Sequence, residues 1–330
     1  MENKKVLVTG APGWLGTRVV EVLCSKGYDV RCFALKGLDL SSLKKLNVET
    51  VEGDITKKET ITEAVKDIHT VVHCTGLIHP KKIKELYDIN TQGTKNILEK
   101  SAEAGVKKFV YISSNSAQGC NIRRNMLMRE DQKEKPEKSY GKSKYLAERA
   151  VRSFQNSGKL NTVILRPCWF YGPGQPERQT RLMKMVKAGN PLIFGNGRNI
   201  RSMSYIDNIV QAIILSMEKD IANGKIYWIA DKRPYETIEI YRTIADILGV
   251  RLKPRYVPKI VSQVLEIGDD ILQALGFYIQ EVHVGGELVK NIACDISKAE
   301  KELGYDPKVD LKEGMRRSIE WAEKQGYLND

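Results

Sequence analysis

Residues 6–16 read VLVTGAPGWLG, a short β-branched run followed by a turn with glycine at positions 10, 13 and 16. An apolar pattern of helical period then runs to about Ser25. Between a strand and a helix each glycine has a distinct use. Gly10 permits a tight turn, Gly13 lets backbone approach a diphosphate, and Gly16 allows the helix to pack closely on the strand. The helix N-terminus is thereby aimed at negative charge. The three glycines are spaced differently from the usual fingerprint of dinucleotide-binding dehydrogenases.

The same unit repeats along the first half. YDVRCFAL precedes a short helical pattern near DLSSLKKL, VETVEGD and TVVHCTG follow, and KKFVYISS comes after the helix of NTQGTKNILEKSAEAG. Strands alternating with helices predict an α/β fold, a Rossmann-type doubly wound parallel sheet covered on both faces. After LNTVILRP the texture changes. Residues 167 to about 202 are rich in glycine and proline, SYIDNIVQAIILSME and GKIYWIAD return to the helix and strand pattern, and short helices and loops dominate beyond Tyr235. The expected division is a dinucleotide-binding domain of residues 1–166 plus about 203–230. A smaller, mainly α-helical substrate-binding domain takes about 167–202 plus 231–330.

The chain has 330 residues, 42% hydrophobic and 28% charged, which is ordinary globular usage and excludes a disordered protein. No apolar window is long enough to span a bilayer, and MENKKVLVTG shows no signal-peptide cleavage pattern, so a cytoplasmic protein is expected. Cys24, Cys32, Cys74, Cys120, Cys168 and Cys294 lack the paired spacing of a zinc site, and His69, His73, His79 and His283 form no helical metal pair. Reduced thiols and no metal are expected. The net charge of +12 is dispersed among acids in stretches such as IKELYDIN. A solvated surface or an anionic small-molecule substrate fits it, whereas no basic patch with interleaved aromatics marks a nucleic-acid partner.

Ser139–Glu148, SYGKSKYLAE, places Tyr140 and Lys144 four residues apart on one helical face. A phenol loses its proton near pH ~10, and an adjacent ammonium is expected to lower that value toward neutrality. Alone, such a pair is more often a half-buried tyrosine beside a solvated lysine.

VTGAPGWLG, VEGDIT, VVHCTG, YDINTQGTKNILEKSAEAGVKKFVYISS, SYGKSKYLAE, VILRPCWFYGPG and GNGRNIRSMSYIDNIVQAI occur in one order and rough spacing. In this the chain resembles the extended short-chain dehydrogenase/reductases, the NAD-dependent epimerase/dehydratase superfamily, from about Val6 to Trp228. The resemblance implies Tyr140 as the residue exchanging a proton with the substrate hydroxyl, Lys144 as the lysine that binds the nicotinamide ribose, and Ser114 as the hydroxyl on the reacting oxygen. Ser113 is the alternative to Ser114. It implies a dinucleotide along Gly10, Pro12, Gly13, Trp14, Leu15 and Gly16, with Asp54 and Ile55 toward the adenine. Cys74, Thr75, Gly76, Asn90 and Pro167 line the rest of that site. Asp54 reads equally as a helix cap, and Asn90 as a structural asparagine. At the end of the second strand, where NAD-selective sites carry an acid, stands Ala34, followed by Leu35 and Lys36. Lys36 or Arg31 would meet a phosphate, which leans toward NADP and leaves NAD open. Relatives also pair as homodimers through the helices that begin here near Asn90 and Tyr140, and Leu146, Ala147, Ala150, Val151 and Phe154 give a face broad enough for sheet and partner.

For the substrate, Arg201 matches the arginine that binds diphosphate in nucleotide-sugar members of the family, and the same residue reads as a surface arginine after a glycine turn. This favours an epimerase or oxidoreductase acting on a nucleotide sugar, by hydride transfer at a secondary alcohol or ketone carbon. The amphipathic stretch between Pro258 and Ile279 reads first as packed helices of the second domain; covering an apolar ligand or touching a membrane surface are its alternatives. It supports a hydroxysteroid- or sterol-type dehydrogenase, or ketone reductase, as the second reading. A non-catalytic NAD(P) sensor is the third, and such proteins usually lack the tyrosine or the lysine.

Overall fold

The computed structural model describes residues 4–329. The strands β1 (Val6–Thr9), β2 (Val30–Ala34), β3 (Glu49–Glu52), β4 (Thr70–His73), β5 (Lys108–Ile112) and β6 (Asn161–Pro167) join Lys225–Ile229 in one seven-stranded sheet. Its order is Lys225–Ile229, β6, β5, β4, β1, β2, β3, and every pairing is parallel. From β1 the chain winds out through β2 to β3, then crosses back to β4 on the other side of β1. The strand order therefore reverses between β1 and β4, which opens a crevice at their C-terminal ends.

Alternation along the strands divides the interior into two layers. Val6 and Val8 face Val19, Val20 and Leu23 of the Trp14–Ser25 helix, while Leu7 joins Phe109, Ile97 and Val151 on the opposite face. The helices Thr94–Glu103 and Tyr140–Asn156 cover that second face, and Ile206–Glu218 covers the first. β3 is the exposed edge and carries Glu49 and Glu52 at its ends, charges that discourage pairing with another chain.

Outside the sheet lie three short two-stranded pairings: Trp169–Tyr171 with Met203–Tyr205, Ile200–Arg201 with Tyr235–Glu236, and Leu192–Phe194 with Arg255–Val257. A helical C-terminal region completes the chain. The helix Lys259–Ala274 departs from the packing expected of it. Its buried residues are Ser262, Asp269 and Gln273, whereas Ile260, Val264, Ile267 and Ile271 are exposed. The reason is polar closure beneath it. Ser262 Oγ donates to the Gly285 carbonyl at 2.6 Å, Gln273 Nε2 donates to Asp269 Oδ2 at 2.6 Å, and His283 Nδ1 lies 2.8 Å from the same oxygen. No helix among the described residues is long and apolar enough to cross a membrane.

One ion pair ties sheet to helix in the interior. Arg166 of β6 and Glu148 of the Tyr140–Asn156 helix are both fully buried, with Nε and Nη2 donating to the two carboxylate oxygens at 2.8 and 2.6 Å. Removing one partner strands the other charge in the core, at a cost of about 3–5 kcal/mol. Arg166→Met should therefore lower the urea midpoint sharply, and adding Glu148→Leu should recover part of the loss. Equal midpoints for wild type and Arg166→Met would contradict this account.

Candidate active site

Gly10 follows β1 with φ 84°, and a Cβ there would lie 2.7 Å from the Cys74 backbone at the end of β4. A Cβ on Gly16 would come within 2.6 Å of the Gly10 carbonyl. Only glycines let the helix start this close to both strand ends. No side chain caps the Trp14–Ser25 helix and no acid occupies its first turn, so its amides remain available for an anion such as a diphosphate. Pro12 follows a cis peptide in this turn, and Leu15 is buried beneath it. Trp14 is turned away to donate from Nε1 to the Pro173 carbonyl at 2.7 Å. The cradle fits a dinucleotide.

The flanking positions are more mixed. Asp54 Oδ1 accepts from the Thr56 amide at 2.9 Å and its hydroxyl at 2.8 Å, a local turn two residues on rather than a helix cap. Ile55 is buried, and its carbonyl accepts from Asn96 Nδ2 at 3.0 Å. Lys36 is exposed just beyond β2. Arg31 is committed elsewhere, since Nη1 donates to the carbonyls of Glu63, Ala64 and Lys66 and Nε lies 2.8 Å from Glu49. It is not free to meet a cofactor phosphate as expected.

Tyr140 and Lys144 occupy the first turns of their helix, against the ends of β4 and β5. Lys144 Nζ donates to the Ile112 carbonyl at 2.7 Å and sits 4.4 Å from the Tyr111 ring centre. A Cβ on Gly76 would lie 3.7 Å from that amine and 3.8 Å from Asn90 Oδ1, so Gly76, Asn90 and Lys144 converge. Asn90 lies in a π-helical turn, Tyr87–Gly93, at the head of the Thr94–Glu103 helix. Its amide accepts from the Leu77 N–H at 2.7 Å and donates to the Leu77 carbonyl at 2.9 Å and Ser143 Oγ at 3.0 Å. Ser143 in turn donates to the Tyr140 carbonyl at 2.7 Å. The serines after β5 face opposite ways: Ser113 donates to Glu148 at 2.6 Å, while Ser114 lies beside the Tyr140 phenol. Pro167, at the end of β6, pairs with Ile229.

The electrostatics differ from the sequence expectation. Burial pushes the Tyr140 phenol up to about 12, against the Ser114 hydrogen bond that lowers it, and Glu287 raises it further. Burial pushes the Lys144 amine down to about 7, although Glu148 and Cys74 favour its charge. The lysine does not make a phenolate here because desolvation weighs on both members of the pair.

Sequence reasoning missed a hydrogen-bonded chain below the site. Thr94 Oγ1 donates its proton to the Asn90 carbonyl at 2.6 Å, so His73 Nε2, 3.1 Å from that hydroxyl, must be the donor to it. Burial drives His73 down to about 3, the positive Lys144 adding to this, so the ring is neutral and Nδ1 accepts from Thr9 Oγ1 at 2.6 Å. Thr75 closes the chain by donating to Thr9 at 2.9 Å. The neutral relay joins the strand end carrying Cys74, Thr75 and Gly76 to Asn90.

Arg201 is buried rather than on the surface. Its Nη2 donates to the Glu287 carbonyl at 2.7 Å, and its guanidinium carbon lies 5.6 Å from the Trp169 ring centre. Burial raises the Glu287 carboxyl, with Glu137 adding to the effect; Glu137, although burial opposes it, is held low by the Glu287 hydrogen bond and Lys290. Glu287 therefore holds its proton more tightly than Glu137. The two acids are far apart in sequence and belong to no local motif. All six cysteines are free, and among the described residues no group of three or more His, Cys, Asp or Glu is placed to hold a metal ion.

The 3-beta hydroxysteroid dehydrogenase/isomerase family matches residues 7–259. The chain belongs to that family. It is an enzyme of the extended short-chain dehydrogenase/reductase type, the NAD-dependent epimerase/dehydratase superfamily. Over 97% of this chain and 96% of the relative it is 42% identical to an uncharacterized protein, y4nL, of Sinorhizobium fredii. It is 28% identical to the UDP-glucose 4-epimerase of Vibrio cholerae, covering 96% and 95% of the two chains. It is also 28% identical to the human decarboxylating sterol-4-alpha-carboxylate 3-dehydrogenase, covering 97% and 88%. Among solved structures, UDP-glucose 4-epimerase of Thermotoga maritima with UDP-glucose superposes with a TM-score of 0.80 at 25% identity, over 97% and 99% of the chains. The UDP-glucuronic acid 4-epimerase of Bacillus cereus, solved with UDP-glucuronic acid and NAD, shares the fold at a TM-score of 0.79, with 21% identity over 97% and 99% of the chains.

Because burial lowers the Lys144 amine, its charge costs stability fully below pH 7, and that cost fades as pH rises toward 10.5. In cofactor-free protein, competitive labelling with acetic anhydride should show Lys144 reacting with a midpoint near 7, and Lys144→Met should raise the melting temperature most below pH 7. A labelling midpoint at 10.5 would place the amine in water instead.

Proposed function

We propose that this enzyme moves hydride at a secondary alcohol or ketone carbon of a nucleotide sugar, with Tyr140 as the proton-transfer residue. The glycine turn would hold the diphosphate of the cofactor, and Lys144 with Asn90 its nicotinamide half. When bound, the nicotinamide supplies the acceptor or donor of hydride. On reduction Tyr140 would give its phenolic proton to the substrate oxygen, leaving a phenolate that takes the hydroxyl proton back on oxidation, while Ser114 holds the same oxygen. A phenol kept protonated by burial is poised for the reductive direction, and developing negative charge on the oxygen falls between two hydroxyl donors.

Arg201 is the observation that carries the nucleotide-sugar reading. It is a buried guanidinium in contact with Glu287, which itself acts on Tyr140, and the Glu287 carbonyl takes only one of its five N–H donors. The polar underside of the Lys259–Ala274 and Gln280–Glu287 helices supports a polyhydroxylated, charged substrate over an apolar one. Segments 167–202 and 231–330, which bring these groups, are the proposed substrate domain. The sterol relatives and the family match favour a sterol-type dehydrogenase as the second reading. For the dinucleotide, Lys36 is the remaining cation beyond Ala34, which supports acceptance of a 2′-phosphate; NAD, carried by the solved epimerase, is the alternative to titrate against it. A homodimer through the helices at Asn90 and Tyr140 fits the half-buried Leu146, Ala150 and Phe154.

Tyr140→Phe should cut turnover by about 10²–10⁴ and leave dinucleotide binding nearly intact. Wild-type turnover in this variant would sink the assignment. Arg201→Ala should weaken nucleotide-sugar binding by roughly ten- to a hundredfold, the loss of a charge-assisted contact worth about 1.5–3 kcal/mol. Turnover of a sterol that is insensitive to Arg201→Ala, with UDP-sugars inert, would establish the second reading instead.

A further inference from the structure

The outer face of the Lys259–Ala274 helix is unlike that of a surface helix in water. Ile260, Val264, Ile267, Ile271 and Leu275 follow one another at helical spacing and form a single stripe. Their exposure runs from 57% at Ile271 to 68% at Leu275, and Phe277, 61% exposed, extends the stripe past the helix end. Between residues 260 and 279 Gln263 is the one exposed polar residue without a charge partner. The helix does carry acids, but each is paired, the side chains of Glu266 and Asp270 being 45% and 43% exposed. Glu266 lies 3.1 Å from Lys290, Asp270 lies 2.6 Å from Lys138, and Asp269 is buried against His283. The stripe is thus an apolar surface about 24 Å long, on a hairpin whose polar side faces inward.

At its N-terminal end stands a cationic run. Arg251, Lys253, Arg255 and Lys259 are all exposed, with the exposed ring of Tyr256 among them. We propose that this face docks on the surface of an anionic lipid bilayer, the helix lying in the interface plane with the isoleucines in the acyl boundary and the cations on lipid phosphates and carboxylates. The charge pattern favours this occupant over a second copy of the chain. In a two-fold pairing of antiparallel stripes the cationic run of one copy would meet the Leu275–Ile279 end of the other, where the one nearby exposed acid, Glu281, is already paired with Arg181 at 3.2 Å. Anionic headgroups supply the missing counter-charge along the whole run. This inference is independent of the substrate assignment.

The test is co-sedimentation of the full chain with phosphatidylcholine vesicles prepared with and without phosphatidylserine, at low and high salt. Wild type should pellet with the phosphatidylserine vesicles and be released by salt. Ile267→Asp combined with Ile271→Asp should lower the partition coefficient by about a hundredfold or more. Arg251→Gln, Lys253→Gln and Arg255→Gln together should lower it by roughly fivefold per charge. Both variants alter only exposed side chains, so melting temperatures should match wild type; if the isoleucine variant melts early, the cation variant decides. Wild type left in the supernatant with phosphatidylserine vesicles, or undiminished binding by the cation variant, overturns the proposal. Sedimentation equilibrium that shows a wild-type dimer dissolved by the isoleucine variant, without vesicle binding, assigns the face to a second copy instead.

Discussion

The amine of Lys144 is buried where the ends of β4 and β5 meet the first turns of the Tyr140–Asn156 helix, and the site is organised around that burial. Its hydrogen-bond acceptor is the Ile112 carbonyl, its nearest aromatic face is Tyr111, and Gly76 and Asn90 close over it. A neutral carbonyl and a ring face repay only part of an ammonium's desolvation, which is why the amine is driven toward neutrality. Fold stability alone would favour an apolar residue there. The surroundings are correspondingly rigid: Asn90 is held by both polar groups of Leu77, Ser143 ties it to Tyr140, and a neutral His73 links its carbonyl to Thr9 and Thr75. Neutrality matters in that chain, because a charged imidazole beside Lys144 would add repulsion to a group already short of solvation.

Sheet and glycine turn were legible in the sequence because both rest on local chemistry. Val6–Thr9 and Lys108–Ile112 are buried on both faces and therefore read as short apolar runs bounded by turns. Gly10 and Gly16 are required by contacts with the nearest strand and turn, so their spacing records the geometry directly. The spacing of Tyr140 and Lys144 records a shared helical face in the same way. What it cannot record is the dielectric around them. The expected lowering of the phenol came from pairing two charges as if in water, whereas burial acts on each group before the pair interacts.

The unread part of the site is non-local. The resemblance favours Ser114 over its neighbour Ser113, and the strand end gives the physical difference: Ser113 turns to Glu148 while Ser114 turns to Tyr140. Glu137, Arg201, Glu287 and Lys290 come from three separate regions of the chain, and none sits in a pattern that predicts the others. Arg201 illustrates the limit. A glycine turn before it left a surface arginine open beside a diphosphate-binding one, whereas its strand pairs with Tyr235–Glu236 and carries it under the Gln280–Glu287 helix.

The Lys259–Ala274 helix shows why periodicity alone does not give orientation. An amphipathic pattern fixes that two faces differ, and the usual assumption that the apolar one is buried follows from the hydrophobic effect acting on an isolated domain. Here the polar face makes a specific set of bonds to the Gln280–Glu287 helix, and glycines let the two helices approach closely: a Cβ on Gly286 would lie 3.0 Å from the Glu266 Cα. Rotating the helix to bury its isoleucines would expose that face at the cost of Asp269, Gln273 and Ser262 losing their partners, and would put branched side chains against a backbone that accepts only glycine. The outward apolar stripe is therefore fixed by the fit of the inner face. The polar contacts on the inner side and the apolar stripe on the outer side are thus set by opposite faces of one helix.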